Sequence, residues 1–123
     1  MLAKIGNIDI TELINESSYK VESSETYESW KDGNYHEHRR YIREQVSGSF
    51  DVVLGEVRGT TLEEFRALVD ANSVNHLLTI LVHVNNTAAE SRIEAYCDLK
   101  VKTRRELSDG TYMETVTVTI KER

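Results

Sequence analysis

The sequence predicts an α+β fold, mainly β: an antiparallel β-sandwich or barrel with one flanking α-helix at about residues 61–72. Three observations carry this expectation. Ile93, Ala95, Cys97, Leu99 and Val101 alternate with Arg92, Glu94, Tyr96, Asp98, Lys100 and Lys102, which is the period-2 pattern of a strand with one buried face. Two Asp-Gly pairs, Asp32-Gly33 and Asp109-Gly110, each lie between strand-like segments and suit a two-residue hairpin turn. Leu62, Phe65, Leu68 and Val69 form an apolar stripe at helical spacing, with Thr61 as N-cap and Glu64 as its capping-box partner.

Taken in order, Ile5, Ile8 and Ile10 surround Gly6-Asn7, predicting a short hairpin or a strand broken by a tight turn. Leu13 and Ile14 precede the polar Asn15-Glu16-Ser17-Ser18, read as a loop. Tyr19 to Tyr27, rich in Tyr, Val, Ser and Thr, reads as an exposed strand. Counting outward from Asp32-Gly33 sets Lys31 opposite Asn34, Trp30 opposite Tyr35, Ser29 opposite His36, Tyr27 opposite His38 and Glu25 opposite Arg40. The same count places Glu28 against Glu37, an unfavourable like-charge pair.

The segment from Tyr35 to Val46 admits two readings. Tyr35, His38, Ile42 and Val46 recur at helical spacing, whereas a strand leads naturally through Ser47-Gly48-Ser49, read as a bulge or bend, into Phe50-Asp51-Val52-Val53-Leu54. The strand is favoured. Leu77 to Val84 is apolar at nearly every position, predicting a central strand covered on both faces, one of them by the preceding helix. Counting from Asp109-Gly110 sets Leu107 against Tyr112, Thr103 against Val116, Val101 against Val118 and Leu99 against Ile120. A one-residue slip would turn this apolar set outward.

At 123 residues the chain fits one domain. No apolar run approaches the ~20 residues of a membrane span, and the first residues lack a secretory signal, so no membrane association and an intracellular place of synthesis are expected. The single Cys97 excludes an internal disulfide and a multi-Cys metal site. A formal charge of −6 argues against broad phosphate neutralisation on duplex DNA.

The densest chemistry lies at Ser29–Arg40, which holds the only Trp and two of the four His residues. His36 and His38, spaced i, i+2 on a strand, with Glu25 across the hairpin, are the best metal candidates. The competing reading is a solvated hairpin in which Glu25 pairs with Arg40, and it is preferred; no metal or other cofactor is expected. Cys97 has the buried parity of its strand and reads as a small hydrophobe rather than a nucleophile. No phosphate loop, nucleophile elbow or paired-His motif is present, so no enzyme activity is expected. Lys31, Arg39, Arg40 and Arg43, interleaved with Trp30, Tyr35 and Tyr41, could form a small nucleic-acid-binding surface. Against it, Glu22, Glu25, Glu37 and Glu44 neutralise the cations. A Trp beside Arg is also what protein interfaces favour as an anchor. The interface candidates are Trp30, Lys31, Asp32, Tyr35, His36, His38, Arg39, Arg40 and Arg43.

One resemblance extends this reading. The chain gives an Ile-Gly-Asn strand, a strand ending at Trp30 and Asp32-Gly33, and an Arg-rich segment with Arg39, Arg40 and Arg43. Ser47-Gly48-Ser49-Phe50-Asp51-Val52, a helix with Glu64-Phe65, an apolar strand and a hairpin ending in Val116-Thr117-Val118-Thr119-Ile120 follow. This order resembles small structural proteins of phages and prophages with long, non-contractile tails, related to tail tube and tail completion proteins. The resemblance implies a β-sandwich or barrel with one helix and no enzyme activity. It also implies self-assembly into an oligomer of the ring-forming kind, contact with other tail or head–tail proteins, and a place in a virion or prophage particle after synthesis in the bacterial cytoplasm. No long extra hairpin of the kind that joins successive rings of many tube proteins is evident in the sequence, which leaves tube, tail completion and baseplate roles open.

Overall fold

Antiparallel pairing dominates the chain from end to end. The computed structural model describes the backbone of residues 2–31, 33, 37–87 and 89–123, and the side chains of these except 25–31 and 37–44. Its strands are β1 (Ala3–Ile5), β2 (Ile8–Asp9), β3 (Ile14–Lys31), β4 (Glu37–Gly55), β5 (Ser73–Val74), β6 (Leu77–Val84), β7 (Ala89–Glu106) and β8 (Tyr112–Glu122). A helix, α1 (Leu62–Ala71), lies between β4 and β5. The strands form one sheet in the order β2-β1-β6-β7-β8-β4-β3, with β5 pairing β6 beside that path. The sheet curls into a half-barrel, so the fold is α+β and mainly β, as the sequence predicts.

Curling brings β3 back towards the far half of the sheet. The Asn85 amide donates to the Val21 carbonyl at 2.8 Å, and the Tyr19 hydroxyl donates to the His83 carbonyl at 2.6 Å and lies 3.0 Å from that of Leu2. The concave face holds the core. Phe50, Val52 and Leu54 on β4, Leu78, Ile80, Val82 and Val84 on β6, and Val116, Val118 and Ile120 on β8 are buried at every second position. Each such side chain contributes about 1.5–3 kcal/mol on leaving water. Phe65 and Val69 of α1 close over this face, with Leu62 and Leu68 packed at its rim. Thr61 caps the helix as predicted, its Oγ1 accepting from the Glu64 amide at 3.3 Å and donating to Glu64 Oε1 at 3.2 Å.

Several expectations need correcting. β6 is not covered on both faces: Leu78, Ile80, Val82 and Val84 are buried, but Leu77, Thr79, Leu81 and His83 are only half-buried. The start of β3 is not an exposed strand, since Tyr19 and Val21 enter the core and the Tyr19 ring stacks on Phe50 at 5.5 Å between centroids. Asn15 to Ser18 is an excursion within β3 rather than a loop between elements. Its ladder breaks between Asn15 and Lys20, where Asn15 Oδ1 accepts from the Ser17 amide and hydroxyl at 3.3 and 2.8 Å. Gly48 marks no bulge, because the ladders on both sides of β4 run through it unbroken. It is small because the backbone of β3 passes where a Cβ would sit.

Both hairpin registers differ from the two-residue counts. At Asp109-Gly110 the Leu107 carbonyl accepts from the Gly110 amide at 3.0 Å, and Leu107 N–H donates to Thr111 at 2.8 Å. The loop is therefore three residues, Ser108 to Gly110, with Gly110 left-handed at φ 85°. Asp109 Oδ1 fixes it by accepting from the Thr111 amide and hydroxyl at 3.0 and 2.6 Å, which holds the Asp109 carboxyl below its ordinary range. This shifts the register by one, pairing Glu106 with Tyr112. A bulge at Lys102 shifts it by one more, so Val101 meets Val116, Leu99 meets Val118 and Cys97 meets Ile120. Two slips restore the parity that one would destroy.

β3 and β4, of 18 and 19 residues, pair along nearly their whole length, so the chain does contain a long hairpin. β8 supports β4 only from Ser47 to Gly55. From Ser24 to Lys31 and from Glu37 to Gln45 the two strands pair with each other alone, a ribbon reaching roughly 25 Å at about 3.3 Å per residue.

Candidate interaction site on the projecting ribbon

The ribbon is held where it leaves the sheet. Ser23 and Asn86 exchange two bonds, the Ser23 amide to Asn86 Oδ1 at 2.9 Å and Asn86 Nδ2 to the Ser23 carbonyl at 2.6 Å. Asn85 Nδ2 adds a bond to the Tyr19 carbonyl at 3.3 Å. On the other strand, Gln45 Nε2 donates to the Glu122 carbonyl at 2.6 Å and the Val46 amide to Glu122 Oε1 at 2.9 Å. Both strands thus enter the ribbon from anchored positions. In the sequence, Asn85-Asn86-Thr87 matches a glycosylation pattern and follows an apolar strand, but nothing there shows its partner on β3.

Beyond this root, the ladder pairs Thr26 with Arg43, Tyr27 with Tyr41, Glu28 with Arg40, Ser29 with Arg39, Trp30 with His38 and Lys31 with Glu37. An irregularity between Thr26 and Tyr27 takes up Ile42 as an extra residue on β4. The segment read as strand or helix is therefore strand from Glu37 on. The register moves away from the two-residue turn: Glu28 faces Arg40 instead of Glu37 and Glu37 faces Lys31, while Glu25 faces Glu44 instead of Arg40. The connection between Lys31 and Glu37 contains Asp32, Tyr35 and His36, which lie outside the described residues. Of the nine interface candidates, Trp30, Lys31, His38, Arg39, Arg40 and Arg43 fall on the ribbon's ladder, and their side chains likewise lie outside the described residues.

The register removes the proposed oxygen ligand from the His pair. Glu25 is paired with Glu44, not with Arg40, and lies five positions from Trp30, the partner of His38. That separation is about 16 Å along the strand, far beyond a shared coordination sphere. Among the described residues no group of three potential ligands gathers elsewhere. Cys97 is partly buried against the core, and desolvation, with Asp98 beside it, pushes its thiol up to about 11, the opposite of an activated nucleophile. The best-knit polar cluster is structural in character: Asp51 accepts from Thr117 Oγ1 at 2.8 Å and from Lys102 Nζ at 3.2 Å, while the Asp51 amide donates to Ser18 Oγ at 2.8 Å. It ties β3, β4, β8 and β7 together.

Fold and site together define a curled, mainly antiparallel protein that carries a projecting two-stranded arm. No family model, curated protein or solved structure matches the chain. Among the described residues no helix is long and apolar enough to cross a membrane.

Proposed function

We propose that the protein is a non-enzymatic structural subunit of a phage or prophage tail, self-assembling and contacting other virion proteins through its ribbon. The observation that carries this reading is the ribbon itself. An isolated two-stranded hairpin is at best marginally stable in water, and open strand edges invite pairing. An arm of this length, anchored at its root by Asn86 and Glu122, is suited to a partner that supplies a third strand or a covering face. Trp30 and its basic neighbours sit at the far end, where an interface would place its anchors. A long hairpin, inconspicuous in the sequence, is also the kind of element by which many tube proteins join the next ring, which supports this reading.

Size-exclusion chromatography with light scattering at rising protein concentration tests this reading. The expected result is a concentration-dependent oligomer, and a strict monomer unaltered by other tail proteins overturns it. The second reading, a small nucleic-acid-binding module using Trp30, Arg39 and Arg40, draws on the same tip. The register weakens it by setting Glu28 opposite Arg40 and Glu37 opposite Lys31. Titration of Trp30 fluorescence with single-stranded oligonucleotide at low salt distinguishes the two, since binding there would favour the module.

A further inference from the structure

A second open edge lies on the other side of the sheet. β6 pairs with β7 only as far as Leu77 and Tyr96. From Cys97 to Glu106, β7 bonds β8 alone, and among the described residues no strand lies beside its outward amide and carbonyl groups. The helix does not fill the place a longer β6 would take. Between α1 and this part of β7 lie two open cavities of about 500 and 390 Å³. Leu62, Arg66, Arg104 and Tyr112 line the first, and Val69 and Cys97 help line the second. The second cavity reaches this edge at Asp98 and the first at Arg104.

We propose that the β7 edge from Asp98 to Glu106 receives β3 of a second copy of the chain, added as an antiparallel strand. The proposal rests on the self-assembly reading above and names the surface the arm would meet. Charge supports this occupant. The β7 edge carries Lys100, Lys102, Arg104 and Arg105 against Asp98 and Glu106, whereas Glu22 to Lys31 of β3 carries three Glu residues against one Lys. Two β7 edges repel each other, whereas Glu25 of β3, set against Glu44 in its own ladder, gains a cation from β7. Antiparallel addition with Glu25 against Arg104 joins the two strands on the hairpin side of the Lys102 bulge. A chain cannot satisfy itself this way, because β4 and β8 separate its own β3 from its own β7. The contact is therefore heterologous, of the kind that closes into a ring or runs on as a filament.

Reciprocal charge reversal in the full chain tests the pairing. One variant carries Arg104→Glu and Arg105→Glu; the other carries Glu25→Lys. Lys102 is spared because it bonds Asp51. Each variant alone should associate about tenfold or more weakly than the natural chain, and an equimolar mixture should recover association. Circular dichroism establishes that each is folded. As a readout free of substitutions, backbone amides of Asp98–Glu106 should exchange more slowly in the assembled natural chain than in the dilute monomer. Natural assembly with unchanged variants and unchanged exchange overturns the β3–β7 pairing but leaves self-assembly standing. A natural chain that stays monomeric at every concentration overturns both.

Discussion

A Cβ added to Gly48 would collide with the Lys20 carbonyl oxygen and the Val21 Cα, both backbone atoms of the adjoining strand. Gly48→Ala should therefore destabilise the fold by about 3 kcal/mol or more, seen as a lower urea midpoint with little change in slope. Tyr19 works through its hydroxyl as well as its ring. Tyr19→Phe leaves the His83 carbonyl without that donor and should cost about 1–2 kcal/mol. Burial pushes the Tyr19 phenol up to about 12 from 10.0. The neutral form is thus favoured by folding; its stabilisation is complete below about pH 10 and is lost as pH rises through 12. Tyr19→Phe should flatten the alkaline arm of the stability–pH curve in proportion, which a denaturant series from pH 8 to 12 would record. Neither role was visible in the sequence. Gly48 lies in a run of small polar residues that equally fits a bend, and Tyr19 follows a polar excursion that hides its inward parity.

Local chemistry made some elements legible. Thr61 and Glu64 announce α1, the alternation from Ile93 to Val101 announces β7, and Gly6-Asn7 joins β1 to β2 as a two-residue turn. What the sequence could not fix was register, because it follows from bonds that a pattern of residue types does not count. Asp109 binding Thr111 lengthens one loop by a residue, and the Lys102 bulge repairs the parity. In the other hairpin Trp30 meets His38 rather than Tyr35. Gly110 has open space around an added Cβ, so Gly110→Ala isolates the backbone cost of φ 85°. The expected loss is about 1–2 kcal/mol, measured by thermal or denaturant unfolding. Substitution by Asn, which tolerates the left-handed region better, should lose less.

At the scale of the molecule, the composition of the Trp30 region was conspicuous in the sequence, but the reach of the ribbon was not. Its strands are polar and continue without punctuation from strands that pack in the body, so nothing in residue type marks where support by β8 ends. Replacing Thr26–Arg43 with a two-residue turn should leave the melting temperature nearly unchanged while abolishing concentration-dependent assembly; a large fall in melting temperature would show that the arm serves the body instead. The course of β4 also decides how the protein would bear a pull. This strand leaves the ribbon and runs directly into the sheet between β3 and β8, bonded to β8 from Ser47 to Gly55. Tension applied along the arm therefore loads those bonds side by side, in shear, rather than peeling them one at a time. The arm is a tether whose force ends in the buried core, at Phe50, Val52 and Leu54.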